Sequence, residues 1–210
     1  VEAILRALIY DLAVRPLTTR WYRQVLDRLP QGARLLDVGV GTAGALCGNA
    51  ETLNAKDIRV VGVDIDADYV RQARKRVEDT GLADRVEVRL ASILDVTEGG
   101  FDAAYFSASF MLMPDPGQVL RHVSGLLAPG GRIYFTQTFE ERRSPFMERL
   151  KPLLHRLTTI HFGTVTYEED FLRTVEGAGM KVLEHVKLSS GRARTGRLVV
   201  AVPASEAAGG

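Results

Sequence analysis

A single cysteine, Cys47, stands in a chain of 210 residues. That excludes an intramolecular disulfide framework and leaves too few thiolates for a cysteine-based metal site. The four histidines, His122, His155, His161 and His185, show neither HxxxH nor HExxH spacing, so no metal centre is expected. No apolar run approaches the ~18 residues of a membrane span. A charge excess is also lacking: 27 Lys and Arg face 26 Asp and Glu, a net charge of +1. The basic residues alternate with acids, as in Asp68, Arg71, Arg74, Lys75, Arg76, Glu78 and Asp79, the pattern of a solvated helix face rather than a phosphate-tracking surface. No nucleic-acid partner is therefore expected. Residues 1–14 are apolar but carry Glu2, Arg6 and Asp11 and no small-residue cleavage site, unlike a secretory leader, so a cytoplasmic protein is expected. What is present, 46% hydrophobic and 25% charged residues, suits one well-buried domain with appendages.

The most informative stretch is Leu35-Leu36-Asp37-Val38-Gly39-Val40-Gly41-Thr42-Ala43-Gly44. Its apolar run reads as a short strand buried on both faces. The glycines allow a sharp turn and close approach of backbone to a ligand, and residues 42–53 continue as a helix. A ligandless strand-to-helix turn is the plain alternative. Residues 59–64 form a second buried strand ending in Asp64. Parallel pairing of the two would set that carboxylate beside the glycine turn, where it can accept hydrogen bonds from ribose hydroxyls.

The remaining chain alternates strand and helix. Residues 1–14 and 18–29 read as two amphipathic helices, broken at Arg15-Pro16, that cover the domain; the first leaves peripheral contact with a membrane surface open. Helix 69–80 is capped by Asp66 or Asp68. Strands follow at 86–90, 101–106 and 132–138, with Asp115-Pro116 opening a helix between the last two. Residues 140–162 make a helical excursion with an apolar stripe of Phe146, Leu150, Leu153, Leu154 and Leu157. Thr166-Tyr167-Glu168-Glu169 is a capping box for the next helix. Strands 180–188 and 197–202 are joined by a turn without a helix and must be antiparallel. The expected organisation is a helical cover (1–33), a main domain (34–203) with a lid-like insertion (140–163), and a flexible tail (204–210). The fold class is α/β: an open sheet of seven strands, the last antiparallel, with helices on both faces.

Several segments in this order resemble the class I S-adenosylmethionine-dependent methyltransferases. Leu35 to Thr42 is similar to the family's first motif, in which an acid precedes G-x-G, and Val61-Gly62-Val63-Asp64 to its second. Phe101-Asp102-Ala103-Ala104-Tyr105 through Pro114-Asp115 resembles the fourth-strand motif. Leu126-Leu127-Ala128-Pro129-Gly130-Gly131-Arg132 resembles the turn into strand five, and Glu176-Gly177-Ala178-Gly179-Met180 the approach to strand six. The resemblance implies a three-layer αβα Rossmann-like fold, S-adenosyl-L-methionine as cofactor and S-adenosyl-L-homocysteine as product. It implies that Asp37 engages the methionine ammonium, that Gly39, Gly41 and Thr42 pass under the cofactor, and that Asp64 takes the ribose with Ile65 beside it. Ser92 and Ile93 would meet the adenine, with Ser92 where relatives often carry Asp, and Phe106 would complete the cofactor set. Ala43 stands where many relatives have a third glycine.

Gly39, Gly41 and Gly44 followed by Asp64 also satisfy the fingerprint of an NAD-dependent oxidoreductase. Asp37, which would crowd a pyrophosphate, and the closing antiparallel hairpin speak against that alternative. A non-catalytic member that binds cofactor or a partner is the other. Methyl transfer would be an in-line displacement on the sulfonium, requiring a base only where the acceptor must lose a proton. No Asp/Asn-Pro-Pro-Tyr or Pro-Cys motif of nucleic-acid methylation is present, so the expected acceptor is a small molecule with an O, N or S nucleophile. Where many relatives carry paired histidines, this chain has Met111 and Leu112. The expected acceptor pocket is partly apolar, drawn from Phe110, Met111 and Phe139, with Tyr10, Tyr22 and His161 as polar handles. The oligomeric state stays open.

Overall fold

The computed structural model describes residues 15–140, 166–191 and 194–205. The expected helix over 1–14 with Tyr10, most of the 140–162 excursion with Phe146, Met147 and His161, and the last five residues of the tail lie outside the described residues. The described elements are α1 (Arg15–Leu26), β1 (Arg34–Val38), α2 (Gly44–Cys47), α3 (Ala50–Ala55), β2 (Arg59–Asp64), α4 (Ala67–Asp79), β3 (Val86–Leu90), β4 (Phe101–Ser107), α5 (Pro116–Ser124), β5 (Leu127–Glu140), α6 (Glu168–Gly177), β6 (Met180–Ser190) and β7 (Arg194–Pro203).

The strands form a seven-stranded sheet in the order β3-β2-β1-β4-β5-β7-β6. β1 pairs in parallel with both β2 and β4, whereas β7 runs antiparallel to β5 and β6. The chain leaves β1 in one direction along the sheet and returns to β4 on its other side. In such sheets a crevice opens beyond the carboxyl ends of the strands at the reversal. Period-2 alternation sorts β1 between two cores. Leu35 packs with Tyr22, Val25 and Leu26 of α1 and with Leu46, Val70 and Tyr105. Leu36 and Val38 pack on the opposite face with Phe106, Leu120, Phe135 and Phe171. Asp37 follows the parity of Leu35 and therefore lies on the α1 side.

α1 is held at several points. Lys56 Nζ donates to Leu26 O at 2.8 Å and Asp27 O at 3.0 Å, satisfying carbonyls at the helix C-terminus. Asn49 donates to Thr19 O at 3.1 Å. Trp21 packs against β7: a Cβ at Gly196 would lie 2.8 Å from its Cζ2, with Ser189 Oγ nearer still.

Several boundaries differ from the sequence reading. α1 already includes Pro16, which is tolerated in a first helical turn, and it ends at Leu26 instead of 29. The helix expected over 42–53 is split between α2 and α3, because Asn49 turns its amide onto Ala45 O at 2.8 Å as well as onto Thr19 O. Asp66, not Asp68, caps α4, accepting from Asp68 N at 2.8 Å and Tyr69 N at 3.1 Å. β5 begins at Leu127 and runs through Pro129-Gly130-Gly131, absorbing the turn in a register shift between Phe101 and Ala103. The β6–β7 turn is shorter than 189–196. The N-cap of α6 is Tyr167, whose own side chain makes no capping bond, and Glu168 in the first turn reaches Arg197 Nε at 2.7 Å. At the tail, Ala204 N–H donates to Gly179 O at 2.9 Å. No described helix is long and apolar enough to cross a membrane.

The Trp21 seat gives a direct stability test. Gly196→Ala should cost about 1–3 kcal/mol through overpacking, seen as a lower urea midpoint at unchanged slope. Gly177→Ala, where an added Cβ meets nothing within 4 Å, is the control; equal losses at both positions would show that crowding against Trp21 and Ser189 is not the cause.

Candidate functional site

The turn after β1 is built by backbone. Gly39 N–H and Val40 N–H both donate to Val63 O, at 2.9 and 3.1 Å, so the chain folds across the end of β2. Gly39 sits at φ +77°, and a Cβ there would be 2.6 Å from Ser109 Cβ. Ser109 closes the approach from the other side, its hydroxyl donating to Val38 O. Two alanines flank the turn in the left-handed region, Ala43 at φ 55° and Ala108 at φ 56°, each at a cost of about 1–2 kcal/mol. The strained Ala43 occupies the position where the resemblance calls for glycine. Its neighbour Thr42 is clamped by α4, since Arg76 Nη1 donates to both Thr42 O and Thr42 Oγ1 at 2.8 Å.

Two carboxylates meet this turn in different states. Asp64 is partly exposed and each of its oxygens accepts one backbone bond: Gly41 N–H donates to Oδ2 and Asp66 N–H to Oδ1, both at 2.9 Å. Asp37 is 0% exposed. Tyr22 donates its hydroxyl to Oδ2 at 2.9 Å, while Oδ1 is buried without a hydrogen-bond partner among the described residues. Burial pushes the Asp37 carboxyl up to about 7; the Tyr22 hydrogen bond opposes the rise and the Asp64 charge adds to it.

The cleft above the turn is lined by Thr18, Tyr22, residues 39–45 and Ser107. It gathers Gly39, Gly41, Thr42 and Tyr22 from the sequence-derived set, with Asp37 beneath and Asp64 on the Gly41 amide. Ile65, just past Asp64, is 79% exposed, and Leu90 and Leu94 are also exposed. Ser92 uses its hydroxyl to accept from Leu94 N at 3.2 Å as cap of the 3-10 turn Ile93–Asp95, and the Ile93 side chain is buried in the second core. Four expected contacts lie elsewhere. Phe106 alternates to the face opposite Tyr105 and stacks on Phe135 at 5.3 Å. Phe110 and Phe139 each pack edge-on to Phe171, at 5.5 and 5.2 Å. Met111 packs against the same core. The apolar exit of β4 is thus a wall of the second core. Tyr22, expected as an acceptor handle, has its hydroxyl on Asp37. Sequence reasoning missed Thr18, Ser107 and Arg76. Thr18 lies one helical turn before Tyr22, and Ser107 shares a strand face with Tyr105, so both were reachable once those elements were aligned; the reach of Arg76 from α4 carried no signal.

A buried carboxyl that holds its proton to about pH 7 links stability to pH. Between the ordinary carboxylate value of 3.8 and about 7, the folded state keeps a proton that the unfolded chain releases, so stability is greatest below that window and falls as pH rises through it. Asp37→Asn keeps an acceptor for Tyr22 and removes the charge. It should stabilise the protein by a few kcal/mol, roughly, at pH 8 and by little at pH 4, measured as unfolding free energy at both values.

A family model described as "Methyltransferase domain" matches residues 29–178. The chain is 28% identical over 190 residues to methyltransferase GfsG of Streptomyces halstedii, covering 86% of this chain and 65% of that protein. It is 33% identical over 150 residues to a ubiquinone biosynthesis O-methyltransferase of Xanthomonas axonopodis pv. citri (strain 306), covering 70% of this chain and 59% of the relative. It thus spans less than two thirds of the length of both relatives. A geranyl diphosphate C-methyltransferase from Streptomyces coelicolor A3(2), solved with Mg2+, geranyl diphosphate and S-adenosyl-L-homocysteine, superposes with a TM-score of 0.68 at 15% identity, over 90% of this chain and 79% of that one. That likeness carries the fold, while the family model spans most of the sheet and both carboxylates of the turn. The chain belongs to the methyltransferase-domain family, the class I S-adenosylmethionine-dependent methyltransferases.

Proposed function

We propose that the protein transfers the methyl group of S-adenosylmethionine to a small-molecule acceptor and releases S-adenosylhomocysteine. The observation that carries this reading is the unpartnered, buried Oδ1 of Asp37 at the glycine turn. Such an atom is costly unless a cation or donor arrives to meet it, and the donor's ammonium has the required charge. Asp64 keeps lone pairs for ribose hydroxyls beyond the two it commits to Gly41 and Asp66. Exposed Ile65, Leu90 and Leu94 offer apolar contact to a purine, with the Ile93 main chain and the Ser92 hydroxyl beside them. Phe106 offers only its backbone, since its ring belongs to the core.

When bound, the donor supplies a sulfonium methyl whose departure leaves a neutral thioether. The protein's task is then to hold and orient the reactants and to exclude water. Thr18 and Ser107 present hydroxyls on the cleft wall, suited to orienting an acceptor. The small-molecule class is supported by the relatives, whose names specify ubiquinone biosynthesis and geranyl diphosphate. A net charge of +1 speaks against nucleic acid, and a single cysteine agrees with a cytoplasmic setting.

Calorimetry with S-adenosylhomocysteine tests the donor. Binding should weaken more than tenfold in Asp64→Ala. It should also fall about tenfold per pH unit below the Asp37 carboxyl value, because a protonated acid cannot pair with the ammonium; a native chain that binds nothing would overturn the donor assignment. Supplying radiolabelled methyl donor to O, N and S acceptors tests the rest. Label in a small product is the expected result, and label confined to a protein or lipid fraction would contradict it.

A further inference from the structure

Tyr22 comes from α1, ahead of the glycine turn, yet its hydroxyl ends on the acid of that turn. Its ring direction is set by neighbours other than Asp37. It packs edge-on to Tyr105, with centroids 4.7 Å apart and planes at 85°, and Tyr105 is itself anchored through its hydroxyl to Thr136 Oγ1 at 2.7 Å. The backbone of α1 is pinned on both sides of Tyr22, by Asn49 at Thr19 O and by Lys56 at Leu26 O. The hydroxyl therefore meets Asp37 from a fixed point and holds the carboxylate in one orientation. With Oδ2 occupied, Oδ1 is the oxygen left over, buried and unpartnered.

We propose that Tyr22 is a positioning residue for the methyl donor: by holding Oδ2 of Asp37 it presents Oδ1 to the ammonium, so that seating of α1 and capture of the donor's amino-acid end are one event. This rests on the donor reading above and adds to it a residue outside the glycine turn. Freed of Tyr22, the carboxylate could rotate, and its buried charge would lose the one hydrogen bond that supports ionisation. Among the described residues, the groups facing Asp37 are Tyr22 from α1 and Asp64 from β2. Loss of the Tyr22 bond leaves only a like charge, so the pH at which donor binding is half-lost should rise.

The test compares S-adenosylhomocysteine with 5′-methylthioadenosine, which has the same nucleoside but no amino-acid end. In Tyr22→Phe, which keeps the ring against Tyr105, S-adenosylhomocysteine affinity should fall about tenfold or more, and its pH midpoint should move up. Methylthioadenosine affinity should stay as in the native chain. In the Asp37→Asn background the same Tyr22→Phe change should cause no further loss, and the thermal midpoint of each variant confirms folding. Equal weakening of both ligands would show that Tyr22 merely supports the fold. Unchanged S-adenosylhomocysteine binding with an unmoved pH midpoint, or an additive loss in the double variant, would overturn the proposal. A native chain that binds neither ligand would instead overturn the donor reading and this proposal with it.

Discussion

A carboxylate sealed under a helix is the constraint that the rest of this structure depends on. Asp37 lies in the middle of the sheet on the strand face that otherwise carries Leu35, so water cannot solvate it. Leaving such a group half-satisfied works against stability, and the burial needs α1 above it. That helix brings the Tyr22 hydroxyl, the acid's one side-chain hydrogen bond among the described residues, while Trp21 on the same turn packs the helix against β7. Proteins hold such unfavourable groups where function uses them, and here the unfavourable group lies one residue before the end of the strand that enters the glycine turn.

The cleft has a second source of strain. The backbone must reverse over the end of β2 within a few residues, and Gly39 can do so because no Cβ opposes Ser109. Ala43 and Ala108 make comparable turns with a Cβ present. Their conformations are held by bonds from outside the turn: Arg76 on Thr42, and Ser109 on Val38. The Ala108 amide is itself bonded to Thr136 O at 2.8 Å. The walls of the cleft are therefore set by packing elements on three sides, which suits a site whose chemistry depends on orientation.

Much of the architecture was legible because burial on both faces leaves a plain mark. The apolar runs of β1 and β2 ended in acids, the helix starts carried Asp66 and Asp115, and a helix-free turn between the last two strands required an antiparallel pair. The glycine turn, Asp37 and Asp64 were legible as a group for the same reason. Legibility failed where one residue type serves two purposes. Phe110 and Phe139 read equally as pocket lining or core and Phe106 as a cofactor contact, and their rings joined Phe135 and Phe171 in the second core.

By itself the sequence determined the α/β class and the strands that carry the two acids, because these follow from local periodicity and from residue types at short spacing, while the methyl donor was implied by the resemblance of those motifs to a known family. Tertiary structure alone decided that Asp37 faces α1, that Tyr22 takes one of its oxygens, and that the other is left without a partner. Those outcomes depend on how a helix docks on a sheet, through contacts such as Trp21 with Gly196 and Asn49 with Thr19. Their partners lie far apart along the chain, and neither one alone signals the other.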